Sequence, residues 1–132
     1  MDDRAFDEIT KRIIMNPPEV NIGCVANLFS RMMHFKNAGD IEIGHTHQFD
    51  HLTLLAKGKV QVTVEGKATE FTAPHMIYIH KDKVHEIVAL EDDTVAYCIH
   101  ALRDKENNEI IDPSMIPAGV SAFSICAPML GE

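Results

Sequence analysis

The sequence predicts an all-β domain, a small sandwich or barrel, with one short helix at its N-terminus. Three observations carry that expectation. Short runs alternate apolar and polar residues with period two. Turn signals separate those runs at intervals of about 8–12 residues. The chain has 132 residues, the size of one domain.

The elements follow in order. Phe6, Ile9 and Ile13 recur at helical spacing, with Asp2 or Asp3 placed to cap the helix. Asn16-Pro17-Pro18 stops it, so residues 1–19 read as a helical extension. Val20 to Lys36 mixes β-branched, Phe and Met residues and reads as one or two strands. Asn37-Ala38-Gly39-Asp40 is a turn. Ile41, Ile43, His45 and His47 then alternate with Glu42, Gly44 and Thr46, and His51, Thr53 and Leu55 alternate likewise. Lys57-Gly58-Lys59 turns into Val60, Val62 and Val64, a strict period-two strand. Glu65-Gly66-Lys67 turns into Ala68 to Thr72, and Met76 to His80 is a short strand. Lys81-Asp82-Lys83 leads into His85 to Leu90, and Glu91-Asp92-Asp93 into Val95 to Leu102. After Arg103 the alternation fades. Asp104 to Pro117 is charged and loop-like, and the mildly apolar Val120 to Leu130 is expected to cover an edge of the sheet. Residues 1–132 thus form one domain, with 104–132 as a C-terminal tail.

Composition narrows the function classes. The chain is 45% hydrophobic, enough for a core that does not depend on a metal. The formal net charge of -8, with no Lys/Arg cluster, opposes nucleic-acid and anionic-membrane binding. The N-terminal Met1-Asp2-Asp3-Arg4 lacks the basic start and apolar run of a secretory signal, and no stretch approaches the ~20 apolar residues of a membrane span. Cys24, Cys98 and Cys126 are odd in number, far apart and outside any CxxC motif. They read as reduced thiols of a cytoplasmic protein, acting as small buried apolar residues. No Ser lies in G-x-S-x-G, which disfavours a serine hydrolase.

Chemistry concentrates in the histidines. His45, His47 and His51 fall within seven residues, and His85 follows 34 residues after His51. Neutral imidazole is the commonest protein ligand for Zn, Cu, Fe and Ni. In a strand, residues two apart share a face, so His45 and His47 can aim at one point, and His51 joins them if the chain turns once. One divalent transition metal (Fe, Mn, Ni, Cu or Zn) is the expected cofactor.

The same residues resemble the cupin family. The first cupin motif runs Gly, five residues, His-x-His, three or four residues, Glu, six residues, Gly. Gly39, His45, His47, His51 and Gly58 keep every spacing, with His51 where the family usually has Glu. The second motif keeps its spacing through Pro74, His80, Asp82 and His85, although Pro74, His80 and Asp82 replace the usual Gly, Pro and Gly. The resemblance spans about residues 33–102. It implies a double-stranded β-helix (jelly-roll) barrel with metal ligands His45, His47, His51 and His85. The histidine at 51 resembles the four-histidine subset, associated with Fe, Mn, Ni or Cu and with oxygen chemistry more often than hydrolysis. A homodimer is expected, because small cupins pair sheets and an uncovered edge strand invites pairing.

Four neutral imidazoles leave a divalent ion its full charge, a stronger Lewis acid than one with a carboxylate ligand. Tyr78, His34 and His100 are the candidate catalytic side chains, with Tyr97 a further pocket phenol, while His75 and His80 read as turn or surface residues. Phe49 is placed to pack beside the metal. By strand parity Ile43, Leu55, Ile87 and Met33 wall the pocket, and Asp50 and Glu86 face away. A one-residue bulge would invert such assignments. With no carboxylate base expected inside, the metal itself would carry the chemistry, as in a dioxygenase acting on a small organic substrate. Two alternatives stand beside it: a non-redox isomerase or lyase on a sugar-derived or keto-acid substrate, and a non-catalytic ligand-binding or sensing module.

Overall fold

The computed structural model describes residues 16–45, 51–80, 83–104, 106, 107 and 109, with the backbone alone at 44, 45 and 51. Among them are nine strands: β1 (Glu19–Val25), β2 (Leu28–Phe35), β3 (Ile41–His45), β4 (His51–Lys57), β5 (Lys59–Val64), β6 (Lys67–Thr72), β7 (His75–Ile79), β8 (His85–Ala89) and β9 (Thr94–Ala101). Residues 1–15 of the expected helical extension and most of the 104–132 tail lie outside the described residues; residues 16–18 are not helical and Glu19 already opens β1. Val20 to Lys36 resolves into two strands, joined by a tight turn at Ala26-Asn27. No helix among the described residues is long and apolar enough to cross a membrane.

The strands form two antiparallel sheets, one ordered β1-β2-β9-β4-β7 and the other β3-β8-β5-β6. Alternation decides what lies between them. Phe29, Met33 and Phe35 of β2, Leu55 of β4, Val60 and Val62 of β5, Ile77 and Ile79 of β7, Ile87 of β8 and Ala96 and Cys98 of β9 are all buried. Complete burial of one such aliphatic or aromatic side chain contributes about 1.5–3 kcal/mol, so the inward series drives the stacking of the two sheets.

Cross-strand register sorts the inward positions into layers. In the five-stranded sheet one row runs Cys24, Phe29 and His100, and the next runs Ile22, Arg31, Cys98, Thr53 and Ile77. In the four-stranded sheet the corresponding rows are His45, His85 and Val64, then Glu42, Ile87 and Val62.

The turns fix which ends coincide. Gly58 joins β4 to β5 at one end, and a Cβ added there would lie 2.2 Å from Thr94 Oγ1. Its φ of +88° is in the left-handed region, so glycine is required on both counts. The same end carries the Gly39 N–H to Ala89 carbonyl bond (2.7 Å) and the Asp93 N–H to Lys36 carbonyl bond (3.0 Å). The rows containing His45, His85 and His100 therefore share the opposite end of the sandwich.

Candidate metal centre and its surroundings

That opposite end is held in shape by two clamps. Glu65 donates its N–H to the Val84 carbonyl at 2.9 Å, and its carboxylate accepts the Val84 N–H at 3.0 Å. The β5–β6 turn thus fixes the entry of β8 one residue before His85. Asn27 ties the β1–β2 turn to the end of β9. Its Nδ2 donates to the Arg103 carbonyl (2.9 Å), its Oδ1 accepts the Arg103 N–H (2.8 Å), and its carbonyl accepts the Leu102 N–H (2.9 Å).

His85 is 7% exposed and alternates with the buried Ile87 and Ala89, so it faces the interior. Its Nδ1–H donates to the Lys83 carbonyl at 3.2 Å. A carbonyl can only accept, so this bond puts the proton on Nδ1 and makes Nε2 the lone-pair nitrogen, the form a metal ligand needs. His45 is the register partner of His85 across β3 and β8. Position 51 pairs with the buried Ile79 and belongs to the inward series with Thr53 and Leu55. One step beyond the Leu52–Ile99 pair, it falls beside His100. His47 and Phe49 lie outside the described residues. Of the four expected ligands only His85 has a described side chain, and the described residues hold no group of three ligating side chains. The donor chemistry and the register nevertheless fit a metal: three of the four positions fall in one layer, at one end, on the inward series.

The other candidates separate by face. His100 is on the inward series; its ring stacks on Phe29 with centroids 4.7 Å apart, and its Nδ1–H donates to the Ala101 carbonyl at 2.6 Å. Tyr78 alternates with the buried Ile77 and Ile79, is 59% exposed, and lies on the outer face of the five-stranded sheet. His34 sits between the buried Met33 and Phe35 and also faces out, where Nε2 meets Asp93 Oδ1 at 2.5 Å and Nδ1 lies 4.0 Å from Glu19. The expectation that Tyr78 and His34 act at the histidine site is therefore corrected by strand parity. Tyr97 pairs with Met32 and Leu54 on the same outer face. His75 and His80 are exposed and contact Phe71 and Tyr78 respectively. Cys24 and Cys98 are buried; Cys126 and Asp50 lie outside the described residues.

A bulge makes the largest correction. The β3–β8 register runs Glu42 to Ile87 and then His45 to His85, so β3 carries one extra residue. Ile43 is 54% exposed and does not wall the interior, whereas Met33, Leu55 and Ile87 do. Glu42 takes the inward place. Its carboxylate meets Arg31 Nη1 at 2.9 Å, an ion pair from β3 of one sheet to β2 of the other, with side chains only 13% and 16% exposed. The interior thus has a carboxylate and a guanidinium that the alternation of β3 concealed. Gly44, beside the bulge, was the available signal. Glu86 faces outward as expected.

No family model matches the sequence, and no curated protein matches it. Solved structures do. KdgF from Halomonas sp. is 21% identical over 66% of this chain and 80% of its own, with a TM-score of 0.55. A cupin superfamily protein from Desulfitobacterium hafniense DCB-2 is 14% identical over 69% of this chain and 85% of its own, with a TM-score of 0.55. An RmlC-like cupin family protein with a double-stranded β-helix fold from Methanocaldococcus jannaschii is 12% identical over 64% and 81%, with a TM-score of 0.54. The fold of this chain is the cupin double-stranded β-helix.

Proposed function

We propose that the protein is a metal-binding cupin that takes a small organic molecule at the histidine end of the barrel, with His45, His47, His51 and His85 as metal ligands. The observation that carries this reading is the juxtaposition of His45 with a buried His85 whose lone pair is set by Lys83, in the layer that also receives position 51. A bound divalent ion would supply Lewis-acid or redox chemistry in an apolar enclosure. The protein's part is to hold the imidazoles neutral and oriented and to exclude water with Phe29, Ile79 and Ile87.

The all-imidazole set favours a dioxygenase-type reaction, because it suits redox-active transition metals and carries no carboxylate charge. A non-redox isomerase or lyase is the second reading, favoured by Glu42, an inward carboxylate one layer from His85 that can accept a proton. Oxygen-electrode assays of Fe- or Mn-loaded protein against diketones, phenols and thiols test the first. Oxygen consumption coupled to product supports it. Turnover that persists without oxygen and falls on Glu42→Gln transfers the assignment to the second. Absence of turnover under both conditions, with metal bound, leaves a ligand-binding module.

A further inference from the structure

The layer next to the histidines contains two polar side chains, Arg31 and Thr53, that neither the metal nor the core uses. Arg31, Cys98 and Thr53 occupy consecutive inward positions on β2, β9 and β4. Arg31 makes one ion pair among the described residues, through Nη1 to Glu42, although a guanidinium offers five N–H donors in a planar fork. Thr53 is 2% exposed, and its Oγ1 has no hydrogen-bond partner among the described residues. A buried hydroxyl without a partner is costly, and most in folded proteins are satisfied. Val, which has the same shape, would avoid that cost at the same position. Cys98, a small buried side chain, lies between the two.

We infer that Arg31 and Thr53 form a recognition floor for the carboxylate of a small organic ligand whose other end reaches the histidine layer. The inference rests on the proposed reading only in that the ligand occupies the same end of the barrel. Neighbouring strands are about 4.8 Å apart, so Arg31 and Thr53 begin about 10 Å apart at their Cα atoms. The Arg31 side chain reaches across the interior to Glu42, so a ligand carboxylate bridges what remains between its guanidinium and the Thr53 hydroxyl. Glu42 holds one nitrogen of the guanidinium and fixes its plane, which leaves the rest of the fork to meet a carboxylate. The Thr53 hydroxyl donates to the second carboxylate oxygen. A ligand carboxylate supplies what the orphaned hydroxyl lacks and adds a second anion to a cation that has one among the described residues.

The test is a set of ligand-observed NMR titrations of the full-length protein, as purified and after metal removal. Pyruvate, lactate and succinate are compared with methyl pyruvate, lactamide and succinamide. The carboxylates are expected to bind at least about tenfold more tightly than their neutral counterparts, the size of one charge-assisted hydrogen bond. Thr53→Val is expected to weaken carboxylate binding about tenfold while its melting temperature stays level or rises. Arg31→Gln is expected to abolish the preference for charge. Equal binding of acids and neutral counterparts, or unchanged carboxylate affinity in Thr53→Val, overturns the inference. So does the absence of carboxylate binding by protein that retains its metal. Metal is measured on the same samples. Carboxylate binding that depends on Arg31 and Thr53 in metal-free protein keeps this inference and refutes the metal reading instead.

Discussion

The Arg31–Glu42 pair is the one ionic tie between the two sheets among the described ion pairs whose side chains are both mostly buried. Its contribution can be worked from geometry. Arg31→Met keeps most of the aliphatic volume but removes the guanidinium from beside a carboxylate that is 13% exposed. Breaking a fully buried pair from one side costs about 3–5 kcal/mol; with residual exposure on both partners, about 2–3 kcal/mol is expected here. Glu42→Leu is expected to cost about as much, because it strands the cation. The double variant replaces both charges with apolar groups and is expected to lie within about 1 kcal/mol of wild type, since apolar replacement of a buried pair is often neutral. The coupling energy is then about 3 kcal/mol or more. Urea denaturation of the four proteins measures it. In a thermal melt of a domain this size each single variant loses about 10 °C, and the double variant recovers most of it. Additive losses, with coupling below about 0.5 kcal/mol, would refute the claim that these groups face each other across the interior.

Other expectations follow from the same register. Gly58→Ala places a Cβ 2.2 Å from Thr94 Oγ1 at a φ of +88°, so a destabilisation of about 2–3 kcal/mol is expected from clash and backbone strain together, read as a lower urea midpoint. Lys57 and then His34 hold the Asp93 carboxyl below its ordinary value, and Lys36 does the same for Glu19. Such carboxylates contribute stability above their unfolded pKa, about 4, and that contribution is lost as pH falls through the lower folded value. Melting temperature should therefore fall as pH drops below about 4, and less in an Asp93→Asn, Glu19→Gln variant. Val25, Leu28, Met76 and Tyr78 are 45%, 51%, 67% and 59% exposed on the outer face of the five-stranded sheet, the surface on which the expected homodimer would form. Light scattering at micromolar concentration should give twice the 14.7 kDa chain mass, and Leu28→Asp with Tyr78→Asp should halve it; a monomeric wild type rejects the dimer.

Much of the fold was legible because period two is a local signal. Val60, Val62 and Val64 read as a strand facing one side, and the Gly58 turn follows from the residues around it. Parity on β2 was equally readable: Phe29, Met33 and Phe35 mark the buried face and send His34 outward. Parity on β7 does the same for Tyr78, between Ile77 and Ile79. The bulge in β3 was signalled only by Gly44, and its register was not legible. It is set by how β3 meets β8, and it exchanges Ile43 for Glu42 without any change of local propensity. The Arg31–Glu42 pair was beyond reach for a related reason. It joins residues of different sheets, and only the stacking brings them together. Of the candidate site, the spacing of His45, His51 and His85 announced a common end, which the register reproduces at the backbone. Thr53 looked like one more inward strand residue, and its unmet hydroxyl emerges only when its neighbours Cys98 and Ile77 are known.

The central claim is that the histidine end holds a metal. Elemental analysis of untagged protein, purified without chelator beside a His45→Ala, His47→Ala variant, tests it most directly. The account predicts about one transition-metal ion per chain, lost in the variant while the melting curve remains cooperative. Wild-type protein that binds no metal even after anaerobic reloading, or a variant that keeps the same metal content, would contradict it.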